Sequence, residues 1–264
     1  MKVHLLIVDP QVDFCSPKGA LPVNGADQDM IRLGAMIDRL RNKIDDIHVT
    51  LDSHHEVHIA HPIWWINSAG QHPNPFTLIS EDDVTKGVWR ATNPSTQERS
   101  LKYVQSLKAN NRYVLCIWPP HCLISSVGST VVEPVHNALI EWCRNRFKKV
   151  DYVPKGSNCF TENYSVVRAD VIDDNDPTTM LNTNLIKVLA DADIIPFGGE
   201  ALSHCVKNSA EDIANSFGEE NIKKLVLLED CSSSVGGFEQ LGKDFVVSMM
   251  KRGMKVAKST EFLA

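Results

Sequence analysis

Short apolar, β-branched runs recur along the chain, and stretches with helical spacing fill most of the intervals between them. Residues 3–8, 47–51, 113–117, 150–153, 194–197 and 225–228 read as buried strands. Met30, Leu33, Ile37 and Leu40 mark one helix face, and Val206, Ala210, Ile213 and Phe217 mark another. Strands alternating with helices predict an α/β fold: a mostly parallel, Rossmann-like sheet covered on both faces, three layers in all. Sheets of this kind place their sites in crevices beyond the carboxyl ends of the strands. Asp9, Asp52, His121 and Lys155 each follow a predicted strand, and Cys205 follows one within a short turn. These five side chains are therefore expected to converge.

One segment interrupts the rhythm. Residues 61–94 hold Trp64, Trp65, Trp89 and Phe76 among Pro62, Pro73, Pro75 and Pro94, with little periodicity. Large aromatic residues argue against disorder, and long irregular segments within compact domains tend to be functional. An ordered excursion over about residues 62–110 is expected, acting as a lid on the site or, in the other reading, as an interface of a homo-oligomer. With no repeat or linker in view, residues 1–264 are read as a single domain.

Composition narrows the function classes. Hydrophobic content of 43% and charged content of 23% suit a soluble globular protein, and a net charge of −6 supplies no basic stripe for nucleic acid. The apolar run ahead of Asp9 is too short for a secretory signal, and no stretch approaches the ~20 residues of a membrane span. Seven cysteines at irregular spacing do not form a disulfide framework, so a reducing, cytoplasmic compartment is expected.

The chemistry gathers in three places. In Asp52-Ser53-His54, residues two apart on an extended chain point the same way and can share one cation. Imidazole with carboxylate suits a divalent transition metal, Zn first, with Fe or Mn as alternatives. A solvated polar loop is the competing reading. Trp118-Pro119-Pro120-His121-Cys122 offers a further imidazole on a stiff prolyl turn, and His58 is a candidate fourth. Gly198-Gly199-Glu200-Ala201-Leu202-Ser203-His204-Cys205 runs from a strand into a helix. A cysteine in the first helical turn faces unpaired N–H groups, which lower a thiol pKa and can hold an oxyanion. A nucleophile of this kind needs a base and a cation, for which Asp9 and Lys155 are placed. His204 is expected to point elsewhere.

These motifs, in this order, resemble the isochorismatase-like cysteine hydrolases and, within them, the nicotinamidases. Leu6-Ile7-Val8-Asp9-Pro10-Gln11-Val12-Asp13-Phe14 is similar to the opening motif, Asp52-Ser53-His54 with His58 to the metal loop, and Trp118-Pro119-Pro120-His121-Cys122 to the signature turn. Lys155-Gly156 with Glu162-Asn163-Tyr164-Ser165 resembles the catalytic lysine and its aromatic neighbour, and residues 199–205 the nucleophile turn. The resemblance implies a six-stranded sheet and a triad of Asp9 as base, Lys155 and Cys205. It further implies a metal on Asp52, His54 and His121, a substrate wall of Phe14, Trp118 and Tyr164, and a cis peptide at Glu200–Ala201 beside the oxyanion site. The implied reaction is hydrolysis of nicotinamide or a similar small ring amide through a thioester, as in NAD salvage. Residues 62–110 lie outside the matched motifs, and Leu123-Ile124-Ser125-Ser126 departs from the usual continuation. Another amide, ureido or carbamoyl substrate, a metal-bound water as nucleophile, and a non-catalytic binding protein remain as alternatives.

Overall fold

A computed structural model describes residues 1–110 and 112–264. Six strands form one sheet in the spatial order Lys255–Ala257, Leu225–Leu228, Ile195–Gly199, His4–Val8, Asp46–Asp52 and Asp151–Lys155. Every neighbouring pair is parallel. The central strand His4–Val8 is buried along its whole length, as a strand covered on both faces must be. Helix Ala26–Leu40 packs against Glu133–Arg146 on one side, while Thr183–Ala190, Lys207–Phe217 and Glu239–Lys251 adjoin in succession. Met30, Leu33, Ile37 and Leu40 are buried in the first of these helices, as are Ala210 and Ile213 in helix Lys207–Phe217.

The chain builds outward through its first three sheet strands and then returns to the other side of the first. Strand order therefore reverses between His4–Val8 and Ile195–Gly199, and ligands bind at such reversals. Val8 pairs with Gly199, so Asp9 and Glu200 leave the sheet side by side. Asp52 pairs with Lys155 one strand further out. Gly199 is required at this point: its φ is +122°, and a Cβ there would lie 2.0 Å from the Val8 carbonyl oxygen.

Two expectations need correction. The run at 113–117 is not a strand of the main sheet; Leu115–Cys116 pairs antiparallel with Leu78–Ile79. The sixth sheet strand is Lys255–Ala257, a half-exposed edge without the apolar run that marks buried strands. Residues 62–110 are also more regular than their prolines suggest. Helix Glu81–Thr85 starts at a capping box of Ser80 and Asp83, helix Gln97–Ala109 follows, and Trp65–Ile66 pairs with Arg90–Ala91. Trp64 and Trp65 turn inward, donating their indole N–H groups to Ser100 Oγ at 3.0 Å and to the Ile59 carbonyl at 2.7 Å. Among the described residues, no helix is long and apolar enough to cross a membrane.

Candidate active site

The side chains at the carboxyl ends of strands His4–Val8, Asp46–Asp52 and Asp151–Lys155 meet around one ammonium group. Lys155 Nζ lies 2.9 Å from Asp9 Oδ2 and 3.0 Å from Asp52 Oδ1, and it donates to the Asn163 carbonyl at 2.9 Å. The fourth neighbour is Cys205 Sγ, at 3.5 Å. All four side chains are buried. Asp9 is fixed further by Thr50, whose hydroxyl accepts from the Asp9 N–H at 3.0 Å and donates to its carboxylate. Its backbone takes a left-handed turn, φ 45°, which steers the carboxylate out of the strand line.

The electrostatics follow from burial and this shared cation. Burial acts against the charge on Lys155, but Asp52 and Asp9 outweigh it and hold the ammonium well above its usual range. Burial also pushes at Asp52, yet His54 and Lys155 keep that carboxylate well below its usual range. In Asp9 burial prevails over Lys155, and its pKa is raised. The expected low-pKa thiol is not what the geometry gives: burial pushes Cys205 well above the usual cysteine range, with Lys155 opposing. The Asp9 and Asp52 carboxylates push in the same direction as burial. A thiol held protonated beside a carboxylate of raised basicity is an arrangement for proton transfer.

Asp52 Oδ2 faces the second cluster, lying 3.0 Å from His54 Nε2 and 3.4 Å from His121 Nε2. His54 Nδ1 is 3.1 Å from the Gly156 carbonyl and His121 Nδ1 is 2.8 Å from that of Pro119. A carbonyl only accepts, so both Nδ1 atoms carry the proton and both Nε2 atoms are turned toward Asp52. Edges of 3.0–3.4 Å are what metal–ligand bonds of about 2.1 Å would give. The donor set thus fits a divalent transition metal. Gln11 holds this arrangement in register: its side-chain amide donates to the Asp52 carbonyl at 2.7 Å and accepts from the Asp52 N–H at 2.8 Å.

His58, the candidate fourth ligand, is engaged elsewhere. Its Nε2 is 3.1 Å from the Thr161 carbonyl, and its Nδ1 accepts from the Ala60 N–H at 3.2 Å. Glu162 comes closer than its sequence context suggests, with Oε1 3.8 Å from His54 Nε2. Its place in Glu162-Asn163-Tyr164 was the available signal.

Gly156 makes room for the cluster. At φ +81° its absent Cβ would lie 2.8 Å from Asp52 Oδ1 and 2.9 Å from His54 Cε1. Replacing Gly156 with Ala should push both ligands apart and strain the left-handed backbone by about 1–2 kcal/mol. Zinc affinity should fall by roughly 10–100-fold in a chelator competition titration. Unchanged affinity would show that the cradle is not tight.

A small cavity opens onto both clusters, lined by Phe14, Leu21, Asp52, Trp118, His121, Glu162, Tyr164, Ala201, His204, Cys205 and Val235. The Trp118 indole donates to Tyr164 Oη at 3.0 Å, which fixes both rings. Phe14 sits edge-on to His121, with ring centres 5.2 Å apart. His204 was expected to point elsewhere, but it packs against Trp118, Tyr164 and Phe238 and lines the cavity. The cause is a π-helical turn over Leu202–Val206, which changes the angular spacing from an ordinary helix start. Burial pushes the His204 pKa down to about 4. The Glu200–Ala201 peptide is cis. No residue of 62–110 lines the cavity; Phe76 packs edge-on against Trp118, 5.7 Å between ring centres. The lid expectation is not supported by this arrangement.

Comparison with known proteins is informative through structure only. No family model matches the chain, and no curated protein does either. The yeast nicotinamidase Pnc1p bound to the inhibitor nicotinaldehyde superposes with a TM-score of 0.68 at 18% identity, covering 97% of this chain and 99% of the other. A nicotinamidase/pyrazinamidase of Acinetobacter baumanii gives 0.67 at 20% identity, over 99% and 98%. The pyrazinamidase of Pyrococcus horikoshii in complex with zinc gives 0.58 at 20% identity, over 98% and 99%. The chain has the three-layer, isochorismatase-like fold of the nicotinamidases.

Proposed function

We propose that this protein is a metal-assisted cysteine amidohydrolase that cleaves nicotinamide or a similar small ring amide to the acid and ammonia. The observation that carries the reading is the position of Lys155 Nζ, between Asp9, Asp52 and Cys205 Sγ, at the floor of an aromatic-walled cavity. Structural neighbours that act on nicotinamide and pyrazinamide, by their names, support the substrate class.

In this reading Asp9 takes the Cys205 proton and the thiolate attacks the amide carbonyl. Lys155 keeps charge balanced as the proton moves, because its ammonium contacts donor and acceptor alike. Backbone N–H groups of the turn from Ala201 to Cys205 receive the oxyanion. The proton on Asp9 passes to the departing nitrogen, which leaves as ammonia and gives a thioester on Cys205. Water, deprotonated by Asp9, then cleaves the thioester and restores the thiol. Phe14, Trp118 and Tyr164 hold the ring of the substrate. A metal on Asp52, His54 and His121 would supply a Lewis acid to orient a ring nitrogen and its water.

Ammonia release across nicotinamide, pyrazinamide, benzamide, a ureido acid and an N-carbamoyl compound tests this directly. Nicotinamide and pyrazinamide should turn over, chelation should suppress turnover, and added zinc should restore it. Release only from the ureido or carbamoyl compounds would reassign the substrate. Turnover indifferent to chelation would remove the metal from the reading.

A further inference from the structure

Behind the nucleophile turn lies a buried acid that the proposed reaction does not use. Glu200 directly follows strand Ile195–Gly199 and donates its N–H to the Val8 carbonyl at 2.8 Å. Its side chain is buried. Oε2 accepts the Ser233 N–H at 3.1 Å, but no donor reaches Oε1 among the described residues. A carboxylate buried with one oxygen unserved is costly, and a protonated carboxyl much less so.

A second buried carboxyl stands next to it. Asp29, on helix Ala26–Leu40, accepts the Ser233 hydroxyl at 2.6 Å on Oδ2 and pairs with Arg32 through Oδ1. The Glu200 and Asp29 carboxyls lie within hydrogen-bonding reach of each other. Carboxylates only accept, so this contact needs a proton on one of the two. Asp29 already has a cation and a hydroxyl donor, which leaves the proton to Glu200. Burial, and after it the charge of Asp29, push the Glu200 carboxyl well above its usual range. Cys15, a further titratable group beside it, is held protonated by burial first and then by Glu200.

Ser233 links this pair to the turn. Leu202 donates its N–H to the Ser233 carbonyl at 2.8 Å while Ser233 donates its own to Glu200, and the Gly199 N–H reaches the Ser232 hydroxyl at 3.1 Å. Ala201 and Cys205, which line the cavity, sit on the stretch held by these ties. We infer that Glu200 is a positioning residue: as a neutral acid that donates to Asp29 and accepts from Ser233, it locks the turn whose backbone receives the oxyanion. This rests on the cysteine-hydrolase reading above.

Two variants of the full-length protein test this. Glu200→Gln reproduces the donor and acceptor of the neutral acid, and Glu200→Leu removes both. In Glu200→Leu, kcat should fall by about 100-fold with KM little changed, and Glu200→Gln should retain most of the turnover. The infrared difference between the unaltered protein and Glu200→Gln at neutral pH should show the loss of a protonated-carboxyl C=O stretch. A proton bound more tightly in the folded state stabilises it at low pH, and that stability is lost as pH rises through the folded-state value. Thermal melts of Glu200→Gln should lack this alkaline loss. A carboxylate band lost in place of the acid band, or an unaltered kcat in Glu200→Leu, would overturn the inference. Should Glu200→Leu not fold, the infrared band and the melts of Glu200→Gln decide. If the unaltered protein released ammonia from none of the amides, the reaction reading would have failed and the positioning role with it, whereas a lost carboxylate band overturns the inference alone.

Discussion

Replacing Cys205 with Ala is expected to abolish ammonia release, by about 10,000-fold or more, while metal content stays at the level of the unaltered protein. The expectation follows from the position of the sulfur. Sγ lies 3.5 Å from Lys155 Nζ at the bottom of the aromatic-walled cavity, beside the carboxylate proposed to take its proton. The proposed metal ligands come from other strands and turns, so deleting a sulfur leaves them in place. Loss of the small buried thiol should move the melting temperature by no more than about 4 °C. The experiment separates two chemistries that share this pocket. If a metal-bound water were the nucleophile, Cys205→Ala would keep most of its activity, and a zinc-hydrolase route would replace the thioester route. A second measurement addresses the intermediate: mass spectrometry of acid-quenched turnover should find an acyl adduct on the peptide containing Cys205. An adduct elsewhere, with activity retained in the alanine variant, would sink the assignment.

The second large effect is expected at Lys155. Its replacement by Met keeps most of the volume but leaves Asp9 and Asp52 buried without the cation that bridges them at 2.9 and 3.0 Å. Removing one partner of a buried ion cluster costs about 3–5 kcal/mol, or roughly 6–20 °C in a domain of this size. Turnover should be lost as well, since nothing then balances the charge as the Cys205 proton moves. The pH dependence carries the sign. Asp9 already has a raised pKa in the folded protein, and losing Lys155 raises it further. The folded state then binds more protons than the unfolded state, so stability is retained at low pH and falls as pH rises through the folded-state value. Thermal melts of chelator-treated Lys155→Met should therefore recover toward the unaltered protein as the pH is lowered. Melting temperatures that match the unaltered protein at every pH would mean that the carboxylates are solvated, contrary to the buried geometry.

The linear chain by itself determined the layer architecture and pointed to Asp9, Asp52, Lys155 and Cys205 as side chains that converge. Continuous apolar runs such as Leu5-Leu6-Ile7-Val8 force buried parallel strands, and helical stripes such as Met30, Leu33, Ile37 and Leu40 cover them. Once strands are parallel, residues at their carboxyl ends must share one edge, which is why Asp9, Asp52 and Lys155 could be grouped from the linear pattern alone. Only the tertiary structure decided what each group does to its neighbours. Periodicity does not report which nitrogen of a histidine is already spoken for, so His58 and His61 look alike in Asp52-Ser53-His54-His55-Glu56-Val57-His58-Ile59-Ala60-His61. The carbonyls of Thr161 and Glu56, one of them far away in the chain, separate them. Nor does it report desolvation: burial is the largest influence on Cys205 and pushes its pKa up, where the helix start alone predicts a lowered one. Edge strand Lys255–Ala257, the π-helical turn that swings His204 into the cavity, and the inward tryptophans of residues 62–110 escaped for the same reason. Local patterns encode only the side of an element that is buried, not the atoms that meet it there.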